Sequence, residues 1–135
     1  MPRLVKGGKW VFGWVLVGTQ NQIQIPPEAY IEYGFHSGET VIITLGSLCS
    51  GGFGIGRREK LSTAQVSFQS RSVGQVRIGA EGQVPLPTET GVQPGERLLV
   101  VRGSGLALGF LQRGLIYEEA LKHPEIQTFD CISER

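Results

Sequence analysis

The chain repeats itself. Val15–Glu28, which runs V-L-V-G-T-Q-N-Q-I-Q-I-P-P-E, is answered at an offset of 61 by Val76–Glu89, V-R-I-G-A-E-G-Q-V-P-L-P-T-E. Val15/Val76, Gly18/Gly79, Gln22/Gln83, Pro26/Pro87 and Glu28/Glu89 are identical pairs. The offset then becomes 57, with identities at Gly38/Gly95, Glu39/Glu96, Gly46/Gly103, Ser47/Ser104, Gly52/Gly109 and Phe53/Phe110. Eleven identities in one order, at turn and strand positions, mark a tandem duplication whose second copy is four residues shorter between its Pro and its Gly-Glu. The duplication constrains the fold more than any other feature, because what one copy builds the other must build as well.

Each copy parses in the same way. A strand (Val15–Val17 or Val76–Ile78) meets a polar turn, and a second short strand (Gln22–Ile25 or Gln83–Leu86) ends at a proline. Proline cannot donate to a ladder but suits the first turn of a helix. Pro27 to Tyr33 is long enough for two helical turns, with Gly34 placed to end them, whereas Thr88-Glu89-Thr90-Gly91 allows one turn at most. Gly-Glu then opens the strongest strand of each copy, Thr40–Leu45 and Arg97–Arg102, both continuous β-branched and Leu-rich runs. A glycine-bearing turn and a last strand around Phe53 or Phe110 complete the unit. About four short strands cannot bury both faces of a sheet alone. Two copies can, so the duplication predicts one mainly β domain with an internal pseudo-two-fold axis, a dimer interface written into one chain.

The boundaries follow: repeat one over about 10–58, a polar Ser/Gln-rich connector over about 59–74 with Val66 and Phe68 alternating in a weak edge strand, and repeat two over about 75–114. Ile116, Tyr117, Ala120 and Leu121 fall at helical spacing, so a C-terminal helix is expected over about 115–123, stopping before Pro124. The first strand is apolar on both faces, Trp10, Phe12, Trp14 and Leu16 alternating with Val11, Val15 and Val17. The aromatic stripe Trp10, Phe12, Trp14 is therefore a candidate partner surface, burial inside the domain being its structural alternative.

Net charge is only +1, but residues 1–80 carry a net of +4 and residues 81–135 a net of −3. Any polyanion would be met by the first half. Trp10 to Val17 is interrupted by Gly13 and lacks a small-residue cleavage site, so no signal peptide is read, and no apolar run is long enough to span a bilayer. Cys49 and Cys131 form no metal-spaced or redox pair, which suits reduced thiols in a cytoplasm.

Ile25-Pro26-Pro27-Glu28-Ala29-Tyr30-Ile31-Glu32-Tyr33-Gly34-Phe35-His36-Ser37-Gly38-Glu39 resembles the SpoVT/AbrB-like (AbrB/MazE) swapped-hairpin signature, G-Q-V-x-I-P, a short helix, L-G-I, P-G-D and a hydrophobic strand. Gly82-Gln83-Val84-Pro85-Leu86-Pro87 and Val92-Gln93-Pro94-Gly95-Glu96 resemble it again, with the helix truncated. The matches cover Val15–Phe53 and Val76–Phe110. The resemblance implies an interleaved β-barrel with hairpins swapped between two copies, here an intramolecular pseudo-dimer. It also implies DNA-binding transcriptional regulation or the antitoxin half of a toxin–antitoxin pair. The sequence departs from the pattern where DNA-binding members carry a helix arginine: that position is Tyr30, and the second copy offers Thr88, Glu89 and Thr90.

DNA contact would therefore fall to other cations: Arg57, Arg58 and Lys60 after the glycine-rich turn, and Arg3, Lys6 and Lys9 in the N-terminal arm, with Arg71 and Arg77 extending the patch. Edge-protecting charges at a solvated strand end are the structural alternative. Gly51-Gly52-Phe53-Gly54-Ile55-Gly56 lacks the Gly-Lys-Ser/Thr ending of a phosphate loop and reads as a turn or bulge. No nucleophile–base constellation is present, His36 falls in a turn, and Glu28 and Glu89 suit helix starts, so neither an enzyme nor a cofactor or metal is expected. The sequence thus points to a cytoplasmic, AbrB-like DNA-binding regulator, with a protein-interaction or antitoxin-like module on the same fold as the alternative.

Overall fold

A computed structural model describes residues 10–46, 51–57, 72–102 and 107–130. The first copy supplies β1 (Val11–Leu16), β2 (Gln22–Gln24), helix α1 (Pro27–Glu32), β3 (Thr40–Leu45) and β4 (Phe53–Gly56). The second supplies β5 (Ser72–Arg77), β6 (Gln83–Pro85), a single 3-10 turn at Thr88–Thr90 in place of the helix, β7 (Arg97–Arg102) and β8 (Ala107–Leu111). Helix α2 (Leu115–Ala120) and a two-residue strand β9 (Thr128–Phe129) follow. The fold is mainly β, as the sequence predicts.

The two copies trade their first strands. β1 pairs antiparallel with β7 of the second copy, and β5 pairs antiparallel with β3 of the first. Every register pair of one ladder maps onto the other through the sequence offsets: Trp14↔Leu99 onto Gln75↔Ile42, Val15↔Leu98 onto Val76↔Val41, Leu16↔Arg97 onto Arg77↔Thr40. The pseudo-dyad passes where a residue meets its own counterpart. Phe53 lies opposite Phe110 in the β4–β8 ladder, and Ile23 lies opposite Val84 in the β2–β6 ribbon. The Phe53 and Phe110 rings stack there with centroids 4.6 Å apart. Symmetric bonds flank the ribbon: Ile25 N–H donates to Gly82 O at 3.0 Å, and Leu86 N–H donates to Asn21 O at 2.9 Å.

One expectation is corrected. The sheet is not closed into a barrel: its order is β5-β3-β4-β8-β7-β1-β9, with β2 and β6 apart as a two-stranded ribbon. The ribbon strands are three residues long and bond to each other, so they are too short to join the two ends of the large sheet as well. The ribbon and α1 instead lie over the inner face of the sheet. Ile23, Ile25, Ala29, Phe35, Val84 and Leu86 pack there against Val15, Val41, Ile43, Leu98, Val100 and Phe110.

The duplication also begins earlier than the letters from Val15 onward suggest. Both first strands carry an extra residue, Phe12 in β1 and Val73 in β5, each followed by a glycine, Gly13 and Gly74, with φ of +150° and +156°. These β-bulges stand in equivalent positions, and such φ values favour glycine. β5 starts at Ser72, so Val73 and Gly74 belong to the second copy rather than to the connector. The edge strand expected around Val66 and Phe68 lies outside the described residues.

In β1 the bulge breaks the side-chain alternation. Phe12 and Val15 enter the inner core, whereas Val11 and Trp14 face outward into a second cluster with Leu99, Val101, Ala120 and Ile126. Helix α2 covers that outer cluster. Tyr117 meets Trp14 edge to face at 5.1 Å, and its hydroxyl donates to Arg97 O at 2.9 Å.

Phe110 lies on the dyad and is fully buried, so Phe110→Ala is expected to cost about 3–5 kcal/mol, read as a lower urea midpoint with an unchanged slope. In a double-mutant cycle with Phe53→Ala, the stacked pair should show a coupling of about 0.5–1.5 kcal/mol.

Candidate functional site

The first-named phosphate candidate, Arg57, is bonded within the molecule. It follows β4 and reaches the C-terminal end of α1, where helix carbonyls lack intrahelical donors. Its Nη1 donates to Tyr33 O at 2.8 Å, and its Nη2 donates to Gly34 O. Nε forms an ion pair with Glu39, Nη2 donates to the other carboxylate oxygen at 3.2 Å, and the guanidinium lies 5.1 Å from the Phe35 ring centre. The helix end it clasps is itself a glycine cap. Gly34 takes φ +68°, its N–H donates to Ile31 O, and Phe35 N–H reaches back to Tyr30 O, both at 3.1 Å.

Glu39 ties this clamp to the Gly-Glu turn. His36 N–H donates to its Oε1 at 3.0 Å, and Gly38 holds φ +88° between them. Burial alone would raise the Glu39 pKa, but Arg57 and the His36 N–H together outweigh it and hold the carboxyl below its ordinary value. The second copy repeats the turn and changes the partner: Gln93 N–H donates to Glu96 at 3.0 Å, while Gln112 donates to the other carboxylate oxygen at 2.9 Å. Gly-Glu is thus a turn-closing device in both copies, joined to an arginine in only one.

The remaining expected cations are dispersed or undescribed. Arg77 is exposed at the end of β5, opposite Thr40. Arg3, Lys6, Lys9, Arg58, Lys60 and Arg71 lie outside the described residues, as do Cys49 and Cys131. Arg102 pairs with Glu32 of α1, and Arg97 lies 4.2 Å over the Trp14 ring. The glycine-rich run is a turn leading into β4: Gly51 and Gly52 take φ +63° and +69°, and Gly52 N–H donates to Gln112 Oε1 at 2.9 Å.

The aromatic stripe is corrected as a partner surface. Phe12 and Trp14 are 6% and 3% exposed and face opposite sides of β1 because of the bulge, leaving Trp10 alone at 37%. What makes β1 apolar on both faces is the chain's own helix α2. The surface of α1 offers something else. Ile31 is 79% exposed, with the exposed Glu28 and Glu32 on the same six-residue helix.

A third feature was not foreseen. His123, just after α2, lies between two carboxylates, with Nδ1 2.9 Å from Glu125 and Nε2 3.2 Å from Glu119. Glu125 first and then Glu119 raise the His123 pKa, and His123 in turn lowers that of Glu125. The i,i+4 spacing of Glu119 and His123 was the signal available in the sequence. Among the described residues no group of three or more His, Cys, Asp or Glu side chains could hold a metal, and no helix is long and apolar enough to cross a membrane.

No family model matches the chain, and no curated protein matches it either. Among solved structures it is similar to the solution structure of PHS018 from Pyrococcus horikoshii. The two share 20% identity and superpose with a TM-score of 0.41, over 78% of this chain and 98% of that one. So loose a superposition carries no argument about what this chain binds.

Arg57→Ala removes an ion pair and two carbonyl contacts from a partly exposed site, and should lower stability by about 1–2 kcal/mol in urea titration. Because the Glu39 pKa is lowered on folding, its contribution is present above the ordinary carboxylate range and lost as pH falls through the lowered value. The Tm difference between wild type and Glu39→Gln should therefore shrink in that acid range. His123 follows the opposite sign: its contribution is present below its ordinary value and disappears as pH rises through the raised one. An NMR titration should place the His123 midpoint above that of an ordinary histidine, and Glu125→Gln should bring it down.

Proposed function

We propose that the chain is a protein-interaction module of antitoxin-like or scaffold type, built on an AbrB-like duplication and acting without a catalytic step. The observation that carries this is the surface of α1. The slot where the resembled family sets an arginine toward DNA holds Tyr30, partly buried in the core, and the exposed part of the helix is Ile31 between two glutamates. An apolar residue bracketed by carboxylates disfavours phosphate and suits a protein surface with an apolar socket and basic rim. Both cations described beside α1 are engaged within the molecule, Arg57 by Glu39 and the carbonyls at the helix end and Arg102 by Glu32.

Regulation through DNA is the second reading. It is favoured by the net +4 of residues 1–80 and by the exposed Arg77. Fluorescence anisotropy on DNA fragments across a salt series separates the two. The interaction module gives no binding whose log affinity falls steeply with log salt. A steep slope made shallower by Arg77→Ala would establish the regulator instead. Cross-linking of the tagged full chain in its own cells should in parallel yield a partner of defined stoichiometry. That complex, rebuilt from purified components, should weaken about tenfold or more with Ile31→Arg.

A further inference from the structure

The pseudo-dyad makes the two outer edges of the large sheet equivalent, yet among the described residues a strand covers only one of them. On the β1 edge, residues just past the Gly13 bulge receive β9 in parallel, Trp14 opposite Thr128 and Val15 opposite Phe129, with Trp14 N–H donating to Gln127 O at 2.8 Å. The glycine shapes that seat. A methyl group at Gly13 would lie 2.8 Å from both Gln127 O and the Phe129 ring, so the missing side chain is the space that Phe129 fills. On the β5 edge the equivalent residues are Gln75 and Val76, past the equivalent bulge at Gly74. There β5 ends the sheet, no described strand pairs with its outer side, and the nearest atom to a methyl at Gly74 is Pro87 Cγ at 3.7 Å. The same notch is present, and no described side chain fills it.

Charge adds to the shape. In the β9 register the residue after Phe129 is Asp130, which comes level with Leu16 of β1. The dyad counterpart of Leu16 is Arg77, exposed at the end of β5. A segment laid on β5 in this register would set its acid beside a guanidinium.

We propose that the outer edge of β5 is a docking site for an extended segment of a protein partner, lying parallel to Gln75–Val76, with an aromatic side chain over Gly74 and an acidic residue next to Arg77. Main-chain hydrogen bonds supply the attachment and the notch and the arginine supply selectivity, as in strand addition to a free sheet edge. The proposal rests on the interaction-module reading and names the surface by which it would act.

The test uses the full-length 15N-labelled chain and a synthetic peptide of the chain's own Glu125–Asp130, the one segment known to seat on such an edge. Amide shifts are expected at Gly74–Arg77, saturating at millimolar peptide. N-methylation at the peptide's Phe removes the N–H that a parallel register points at β5, and should weaken binding about tenfold or more. Arg77→Glu should weaken it several-fold without altering the fold's amide dispersion. Gln75→Pro should also abolish it, since the dyad places the Gln75 N–H on the open side of an edge strand. The proposal is overturned if no amide of β5 moves, if N-methylation changes nothing, or if the shifts appear at Trp14 and Val15, which would mean that the peptide merely displaces β9. Any of these outcomes with the cross-linked partner complex intact removes the β5 edge and leaves the interaction module standing.

Discussion

Neither copy of the repeat keeps its first strand. β1 completes the sheet of the second copy and β5 that of the first, so the inner-face core is assembled only when both copies are present. A half-chain would expose β3 or β7, both with buried apolar centres, along an unpaired edge. Tethering the two copies removes the concentration dependence that a dimer of single copies would carry. The dyad contacts, Phe53 on Phe110 and Ile23 opposite Val84, add to these exchanged ladders by joining residues to their own counterparts.

Once the symmetry is set, the two halves are free to differ outside the core. Trp14 and Leu99 on one outer face correspond to Gln75 and Ile42 on the other. The first pair lies beneath α2, whereas Gln75 is exposed. The Gly-Glu turn is kept in both copies, yet Glu39 is joined to Arg57 and Glu96 to Gln112. The inward positions are held by packing from both copies at once, so they stay apolar. The outward positions answer to whatever lies above them, here a C-terminal helix over Trp14 and Leu99.

Much of the local structure was legible. The turn glycines, the prolines that start α1 and the shorter 3-10 turn of the second copy all fall where φ restriction and helix-end chemistry put them. The functional candidates were less legible, because their partners are distant in the chain. Arg57 looks like a free cation in the sequence because its partners, Glu39 and the carbonyls of Tyr33 and Gly34, arrive from 18 to 24 residues away. Trp10, Phe12 and Trp14 look like a stripe because period-2 alternation assumes an unbroken strand, and the Gly13 bulge breaks it.

The sequence by itself determined the duplication, the order of elements within each copy and the mainly β class, since these follow from spacing, β-branched runs and the positions of glycine and proline. Only the tertiary structure decided that the sheet stays open, that the second face of β1 belongs to α2, and that β9 caps one edge while no described strand caps its counterpart. Those outcomes depend on which distant segments meet across the dyad. A repeat read along the chain specifies that two halves are alike, but not which face or edge of each half the rest of the chain comes to cover.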